Sequence, residues 1–273
     1  MSRTLVGKIS SLWRYPVKST LGEEIISSLV TSLGLLGDRG YALLDIETGK
    51  VASAKFPKKW SSLLNFHASY ADIPSASFLL PEVNIILPNG QKISSKDSQA
   101  NKIISDLLGR EVQLICAPPE SACIDQYWPS VEGTAHQDAL TQIFMPEGTF
   151  FDSCFIHLIT QATLARLQEL SPESEFKAAR FRPNVIISPT SNEIDFIEND
   201  WVGGILFIGE EVKLSIDTVC PRCVVTTLAQ GDLSNDLNVL HTTAKYNDVI
   251  AGIRTSVLQT GSISLNDPIW LEK

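Results

Sequence analysis

The chain has 273 residues, enough for one large domain or two smaller ones, and 44% hydrophobic residues give it the material for a core. Thirty-one acidic against 22 basic residues leave a formal charge of -9, which argues against a general grip on nucleic-acid phosphates and requires any anionic ligand to be held locally. No apolar run approaches the ~20 residues needed to span a bilayer, and "MSRTLVGKISSLW" lacks both a signal-peptide core and an Arg-rich transit pattern. Five cysteines spread over this length do not make a secreted disulfide framework, so a cytoplasmic protein with reduced thiols is expected.

In chain order, short strand-like runs bounded by turn residues dominate. They are "LVGKISSLWRYPV", "RGYALLDIETGKVAS", "SFLLP", "NIILPNGQKIS" and "EVQLICAP", then "FRPNVIISP", "ILFIGEEVKLSIDTV" and "SISLNDPIWLE". Asn89-Gly90 marks a hairpin turn, and "DIETGKV" and "FIGEEVKL" read as two more. Two segments break the β pattern. "DSQANKIISDLLGR" sets Ile103, Ile104, Leu107 and Leu108 at helical spacing, with Ser98 as cap and Gly109 past the end. "TQATLARLQELSP" sets Leu164, Leu167 and Leu170 on one face, with Thr160 as cap and Pro172 as stop. βαβ alternation is absent, as are phosphate-cradling glycine loops, and Gly203-Gly204 shapes a hairpin. The polar stretch "APPESACIDQYWPSVEGTAHQD", residues 117–138, is the expected boundary.

The run "IDTVCPRCVVTTL" carries Cys220 and Cys223 three residues apart. A structural zinc site needs four ligands, and Cys154 and His157 would complete a set if the two strands were neighbours. A redox dithiol wants its first cysteine at a helix N-terminus after a strand in a βαβ setting, whereas the β-branched "VVTTL" extends the strand or its exit. Simple packing of both thiols is the plain alternative. Arg222 between them favours a thiolate, and Pro221 stiffens the turn that would present one sulfur at a strand end.

Polar residues gather elsewhere in short blocks. "WRYPVKST" ends a strand with Lys18, Ser19 and Thr20, "LGDRGYALLD" places Asp38 and Arg39 in a turn, and "AARFRPNVIIS" sets Arg180, Arg182 and Asn184 before a buried run. Each alone reads as a solvated strand end or surface pair, except that cations entering a core strand need partners. Together Lys18, Ser19, Arg39 and Arg182 make a set of phosphate-type donors, with the Asn184 amide suited to a heterocycle edge and a soft thiolate beside them.

With these residues in view the chain resembles the MOSC-domain proteins, in the branch with an additional N-terminal β-barrel domain. The likeness runs through "YPVKS" (15–19), "GDRGYALLD" (37–45), "FDSCFIHLIT" (151–160), "RFRPNVII" (180–187) and "CPRCVVTT" (220–227). It implies a mainly β (α+β) MOSC fold of two packed barrel-like domains with a few short helices, residues 1–116 and 117–273. It also implies a bound molybdenum cofactor, a pterin carrying a dithiolene and a phosphate. By the same resemblance Cys223 would ligate molybdenum, with Cys220 behind it or merely packing. Lys18, Ser19, Arg39, Thr160, Arg182, Asn184 and Arg222 would hold the cofactor. Asp152 falls on an acidic position near the pocket, holding a helix N-terminus or acting on protons, and Asp38 would fix Arg39.

The function implied is a molybdenum-dependent reductase of N-hydroxylated compounds. No cysteine follows Cys223, so no clustered ferredoxin-like module is expected. Electrons would come from a separate protein of ferredoxin, flavodoxin or cytochrome b5 type and its reductase. Nucleic acid and membrane are not expected partners. Two alternatives stand beside this. One is a carrier that holds a persulfide or delivers the cofactor without turnover, lacking the large pyridoxal-phosphate domain of full sulfurases. The other is a zinc-stabilised module built on Cys154, His157, Cys220 and Cys223.

Overall fold

A computed structural model describes residues 2–75, 79–131 and 138–273. The first expected strand forms as Arg3–Arg14, turning Ile9 and Leu12 inward at 0% exposure. Register shifts at Leu5/Gly7 and Ile9/Ser11 bend it, so that it pairs with Pro268–Glu272 on one side and with Val185–Pro189 on the other. The ring continues through Ile156–Thr160, Ile250–Gln259, Val212–Pro221 and Ile205–Ile208, closing a seven-stranded barrel to which Glu23–Ile25 adds a short edge. Alternate side chains fill its interior, among them Leu158, Val185, Leu206, Leu214, Ile216 and Ile253. Closure leaves no long unpaired edge.

One pair in the ring, Ile156–Thr160 with Val185–Pro189, is parallel. Parallel neighbours need a crossover. The helix Gln161–Leu170 and the single turn Ala178–Phe181 supply it. The sequence reading found no βαβ alternation; the barrel contains this one unit, hidden because the helix is short and its partner strands are 24 or more residues apart.

The remaining strands form small sheets. Ala42–Asp45 pairs with Val112–Ile115, and Val83–Ile86 lies between His67–Tyr70 and Lys92–Ser94, pairing with both. They enclose Tyr41, Leu43, Trp60, Leu63, Phe66, Ile85 and Ile104. Two segments cross residue 116. The Arg3–Arg14 strand is a stave of the large barrel, while the hairpin Cys123–Trp128/Ala139–Phe144 packs Ile124 and Ile143 against Ala42 and Val51 of the N-terminal part. The polar stretch expected as a boundary thus carries a strand.

Turn and cap chemistry explains the local outcomes. Gly90 (φ 84°) turns the Asn-Gly hairpin, Gly209 (φ 59°) the "FIGEEVKL" hairpin, and Gly109 (φ 63°) ends the Ala100–Leu108 helix. Ser98 does not cap that helix: Gln99 holds the cap position without a side-chain bond, and its N–H donates to Asp97 Oδ1 at 2.8 Å. Gly203 and Gly204 precede the Ile205–Ile208 strand, and Gly203 N–H donates to Ile216 O. Of "SFLLP", residues 77 and 78 lie outside the described residues and Leu79 to Pro81 form no strand. "VVTT" coils into a 3-10 turn, Val224–Thr227, instead of prolonging the strand, because the Thr226 and Thr227 hydroxyls donate to Cys223 O and Val224 O at 3.0 and 2.8 Å.

Thr160 is a helix cap as expected, accepting from Thr163 N–H at 3.1 Å. Its hydroxyl donates to Glu198 Oε2 at 2.7 Å, as does that of Thr163. Glu198 is fully buried, and burial pushes its carboxyl above the ordinary value against the pull of these donors. Folding therefore favours the protonated form, and its contribution falls as pH rises from the unfolded value through the raised folded one. Glu198→Gln is expected to remove that pH dependence and to be within about 1 kcal/mol of the parent at neutral pH. Glu198→Ala, which orphans the donors, should cost about 2 kcal/mol. Urea denaturation at pH 5 and 8 reads both.

Candidate functional site

The site forms where the small sheets meet the end of the barrel. After Val17, which bridges to Tyr41, the chain turns through Lys18 and Ser19 (φ 65°), with Lys18 N–H donating to Tyr41 O. Ser19 Oγ accepts from Ala54 N–H at 3.1 Å, and Tyr127 N–H donates to Lys55 O at 2.7 Å, which fixes the loop bearing Lys55. Across from it the Val212–Pro221 strand ends, Arg222 N–H donates to Val249 O, and Cys223 stands extended before the 3-10 turn.

These elements border an open cleft lined by Lys18, Ser19, Arg39, Asp152, Arg182, Asn184, Arg222 and Cys223 among others. Eight of the nine expected site residues thus converge from five sequence blocks. Thr160 is not among the lining residues, and its hydroxyl is spent on Glu198 and the helix N-terminus. The expectation that it holds a cofactor is corrected on that ground. Asn184 lines the cleft but does not offer its amide there. Its Nδ2 donates to Asp38 Oδ2 at 2.9 Å and to Trp13 O, while Oδ1 accepts from His157 N–H. It ties the strands together in place of reading a heterocycle.

Asp38 organises the second layer. Its side chain is fully buried, accepts from Tyr15 N–H at 2.8 Å and from Asn184, and ion-pairs with Arg39. Burial would lower the Arg39 value, but Asp38 and its neighbours raise it. The Arg39 and Arg182 guanidiniums lie 4.4 and 4.2 Å from the Tyr15 ring centroid. Arg182 takes the left-handed conformation (φ 52°), donates to Thr20 O at 2.6 Å, and is pulled down to about 10 by burial, still charged at neutral pH.

Asp152 sits between two lysines, 2.5 Å from Lys18 Nζ and 3.0 Å from Lys55 Nζ. Burial alone would raise its carboxyl, yet the two ammonium groups hold it far below the carboxylate range. It therefore stays ionised, and its contribution to stability is present above the ordinary Asp value and is lost as pH falls toward the depressed one. Asp152→Asn is expected to cost about 2 kcal/mol at pH 7 and to flatten the acid limb of the stability curve, checked by urea denaturation from pH 3 to 7. This geometry makes Asp152 the anchor of Lys18.

Sequence reasoning missed Lys55 and Arg254, and weighed His157 only as a zinc ligand. Among the described residues no group of three or more His, Cys, Asp or Glu is arranged to hold a metal ion alone. What the cleft has instead is charge: Lys18, Arg39, Lys55, Arg182, Arg222 and Arg254 line it against the single carboxylate of Asp152. Arg222 Nε and Arg254 Nε are buried without a protein partner. In a chain with a formal charge of -9, such an excess of cations selects an anionic occupant.

A seven-stranded barrel capped by small sheets, with a cationic cleft between them lined by the partly buried Cys154 and Cys223, defines a β-barrel protein with a basic pocket beside thiols. Residues 147–270 match the MOSC domain and residues 6–65 the MOSC N-terminal beta barrel domain. The chain belongs to the MOSC-domain family. Among known proteins it is similar to the human mitochondrial amidoxime reducing component 2, 24% identical over 97% of this chain and 83% of the relative. The human mitochondrial amidoxime-reducing component 1 is 26% identical over 82% of this chain and 66% of the relative. The molybdenum cofactor sulfurase of Oryza sativa subsp. japonica is 25% identical over 87% of this chain but 30% of its own length. Of solved structures, the YUAD protein from Bacillus subtilis aligns over 99% of this chain and 97% of its own, at 11% identity and a TM-score of 0.45.

Proposed function

We propose that the chain binds a molybdenum cofactor in this cleft and serves as a molybdenum-dependent reductase of N-hydroxylated compounds, receiving electrons from a separate protein. The observation that carries the reading is the convergence of six cationic side chains around Cys223 with one carboxylate among them. The family, and relatives named for amidoxime reduction, support the same reading. The donor set fits the group: a phosphate and a pterin need hydrogen-bond donors and positive charge, and the buried Nε atoms of Arg222 and Arg254 are donors without protein partners.

When bound, the cofactor supplies a two-electron oxygen removal, in which an N–OH substrate takes up two electrons and two protons and leaves as the N–H compound and water. Cys223 provides the soft thiolate ligand for the metal. Lys18, spending two donors on Phe150 O and Asp152, keeps a third N–H for the ligand, and Ser19 adds a hydroxyl. Arg39 and Arg182, fixed by Asp38 and Thr20 O, orient negative charge. Lys55, tethered to Asp152, holds protons at the same wall of the cleft.

The test is molybdenum and pterin content of protein purified from a host that makes the cofactor, with turnover of benzamidoxime by an artificial electron donor. Near-equimolar molybdenum and pterin with turnover is the expected result; absence of both would overturn the reading. The likeness to a molybdenum cofactor sulfurase favours a second reading, a carrier that holds the cofactor without catalysis. Full loading without turnover of any N-hydroxylated substrate would select it.

A further inference from the structure

Cys220 has no part in the proposed function, yet its surroundings are more specific than packing requires. Its residue exposure is 5%, and Arg222 Nη1 donates to its Sγ at 2.9 Å. His157 and Arg254 line the same cleft and act electrostatically on the same sulfur. The imidazole has a seat of its own. Gly252 takes φ +88°, and a Cβ there would stand 2.4 Å from His157 Nε2 and 2.4 Å from Leu158 O, so the backbone is opened where the ring sits. His157 Nε2 lies 3.2 Å from Ala251 O and 3.4 Å from Arg222 Nη1, and its backbone N–H is tied to Asn184. Arg222 is held on its far side by Phe181 O at 2.7 Å.

We infer that Cys220 Sγ is the acceptor that holds the Arg222 side chain in the wall of the cleft it shares with Arg254, a positioning residue for whatever anion these guanidiniums meet. The Cys-x-Arg-Cys pair then divides its work, Cys223 facing the ligand and Cys220 facing the arginines. The inference rests on the reading that the cleft takes an anionic cofactor. Burial opposes ionisation of Cys220, but His157, Arg222 and Arg254 together hold the thiol well below its ordinary value. Cys154, which lines the same cleft, goes the other way: burial and the neighbouring Cys220 push it up to about 11. A neutral packing thiol would need neither the opened glycine beside His157 nor a guanidinium donating to its sulfur.

Charge and shape separate in three variants of the full chain. Cys220→Ala removes the acceptor, Cys220→Ser keeps the size and a neutral acceptor, and Cys220→Asp restores the charge. Molybdenum and pterin content should fall at least about tenfold in Cys220→Ala and recover at least in part in Cys220→Asp, with Cys220→Ser between them. Circular dichroism melts identify any variant that has failed to fold. Parent-like cofactor content in a folded Cys220→Ala protein overturns the inference, as does a folded Cys220→Asp protein no better than Cys220→Ala. A second readout needs no cofactor. Cofactor-free protein at pH 7 should show ultraviolet thiolate absorbance at about 240 nm that falls in Cys220→Ala. Absence of that band in the parent sinks the positioning role, whether or not the cofactor reading stands. A parent without molybdenum that keeps the band sinks the cofactor reading alone.

Discussion

Cys223→Ala is expected to bring benzamidoxime turnover down to the uncatalysed background and to strip molybdenum from the protein, while changing stability by less than about 1 kcal/mol. The asymmetry follows from where the residue stands. Cys223 holds the N-cap position of the 3-10 turn without a side-chain cap bond, so the turn does not depend on its sulfur. Thr226 still donates to the residue 223 carbonyl whatever the side chain. On the proposed reading, loss of the thiol would remove the soft ligand and leave the scaffold intact. Metal analysis beside a thermal melt checks it, and a folded Cys223→Ala protein that retains parent-level molybdenum would remove the thiolate from the site.

The second large effect belongs to Arg180. It is 0% exposed, and its guanidinium donates to Glu175 O at 2.8 Å, Thr226 O at 3.2 Å, Leu228 O at 3.3 Å and Ser234 O at 2.8 Å. Carbonyl dipoles in place of a carboxylate compensate the charge, and burial still draws its value down. Arg180→Met keeps most of the apolar stem but orphans four carbonyls, for an expected loss of about 3–5 kcal/mol. Three of those carbonyls lie after Cys223, so amide exchange over 224–234 should rise even where the barrel stays protected. Arg180→Lys, with a point charge that cannot reach in four directions, should fall between. Unchanged urea midpoints in Arg180→Met would show that the guanidinium is dispensable.

Most strands were legible in the sequence because their apolar residues recur at period two between Gly, Pro and Asn turns, as at Asn89-Gly90 and around Gly209. The barrel's closure was not: it depends on register shifts within Arg3–Arg14 that let one strand serve two neighbours. The five blocks of the site were legible as types of donor, and the cleft gathers them. Thr160 was read correctly as a cap and incorrectly as a ligand, since Glu198, which takes its hydroxyl, is 38 residues away and carries no local sign of burial. Lys55 was missed because "AKFPKKW" holds three lysines, and only folding shows that one of them meets Asp152. Asp38 was read as the support of Arg39 and has that place, but its bond to Asn184 joins segments 146 residues apart and had no signal. Cys220 looked like packing because a thiol between a valine and a proline shows nothing of the Arg254 and His157 that act on it.

The stave shared by both ends of the chain has a consequence for biosynthesis. Arg3–Arg14 emerges from the ribosome roughly 250 residues before one of its partners, Pro268–Glu272. At roughly 5–20 residues per second that is a wait of tens of seconds. Contacts of such long sequence separation close slowly, after their loop entropy has been overcome. Lys18 and Ser19 follow directly from this strand, whereas Arg222 and Cys223 follow from one near the other end of the chain. The cleft therefore acquires its shape late, and a ligand that needs both walls meets a barrel that has already closed.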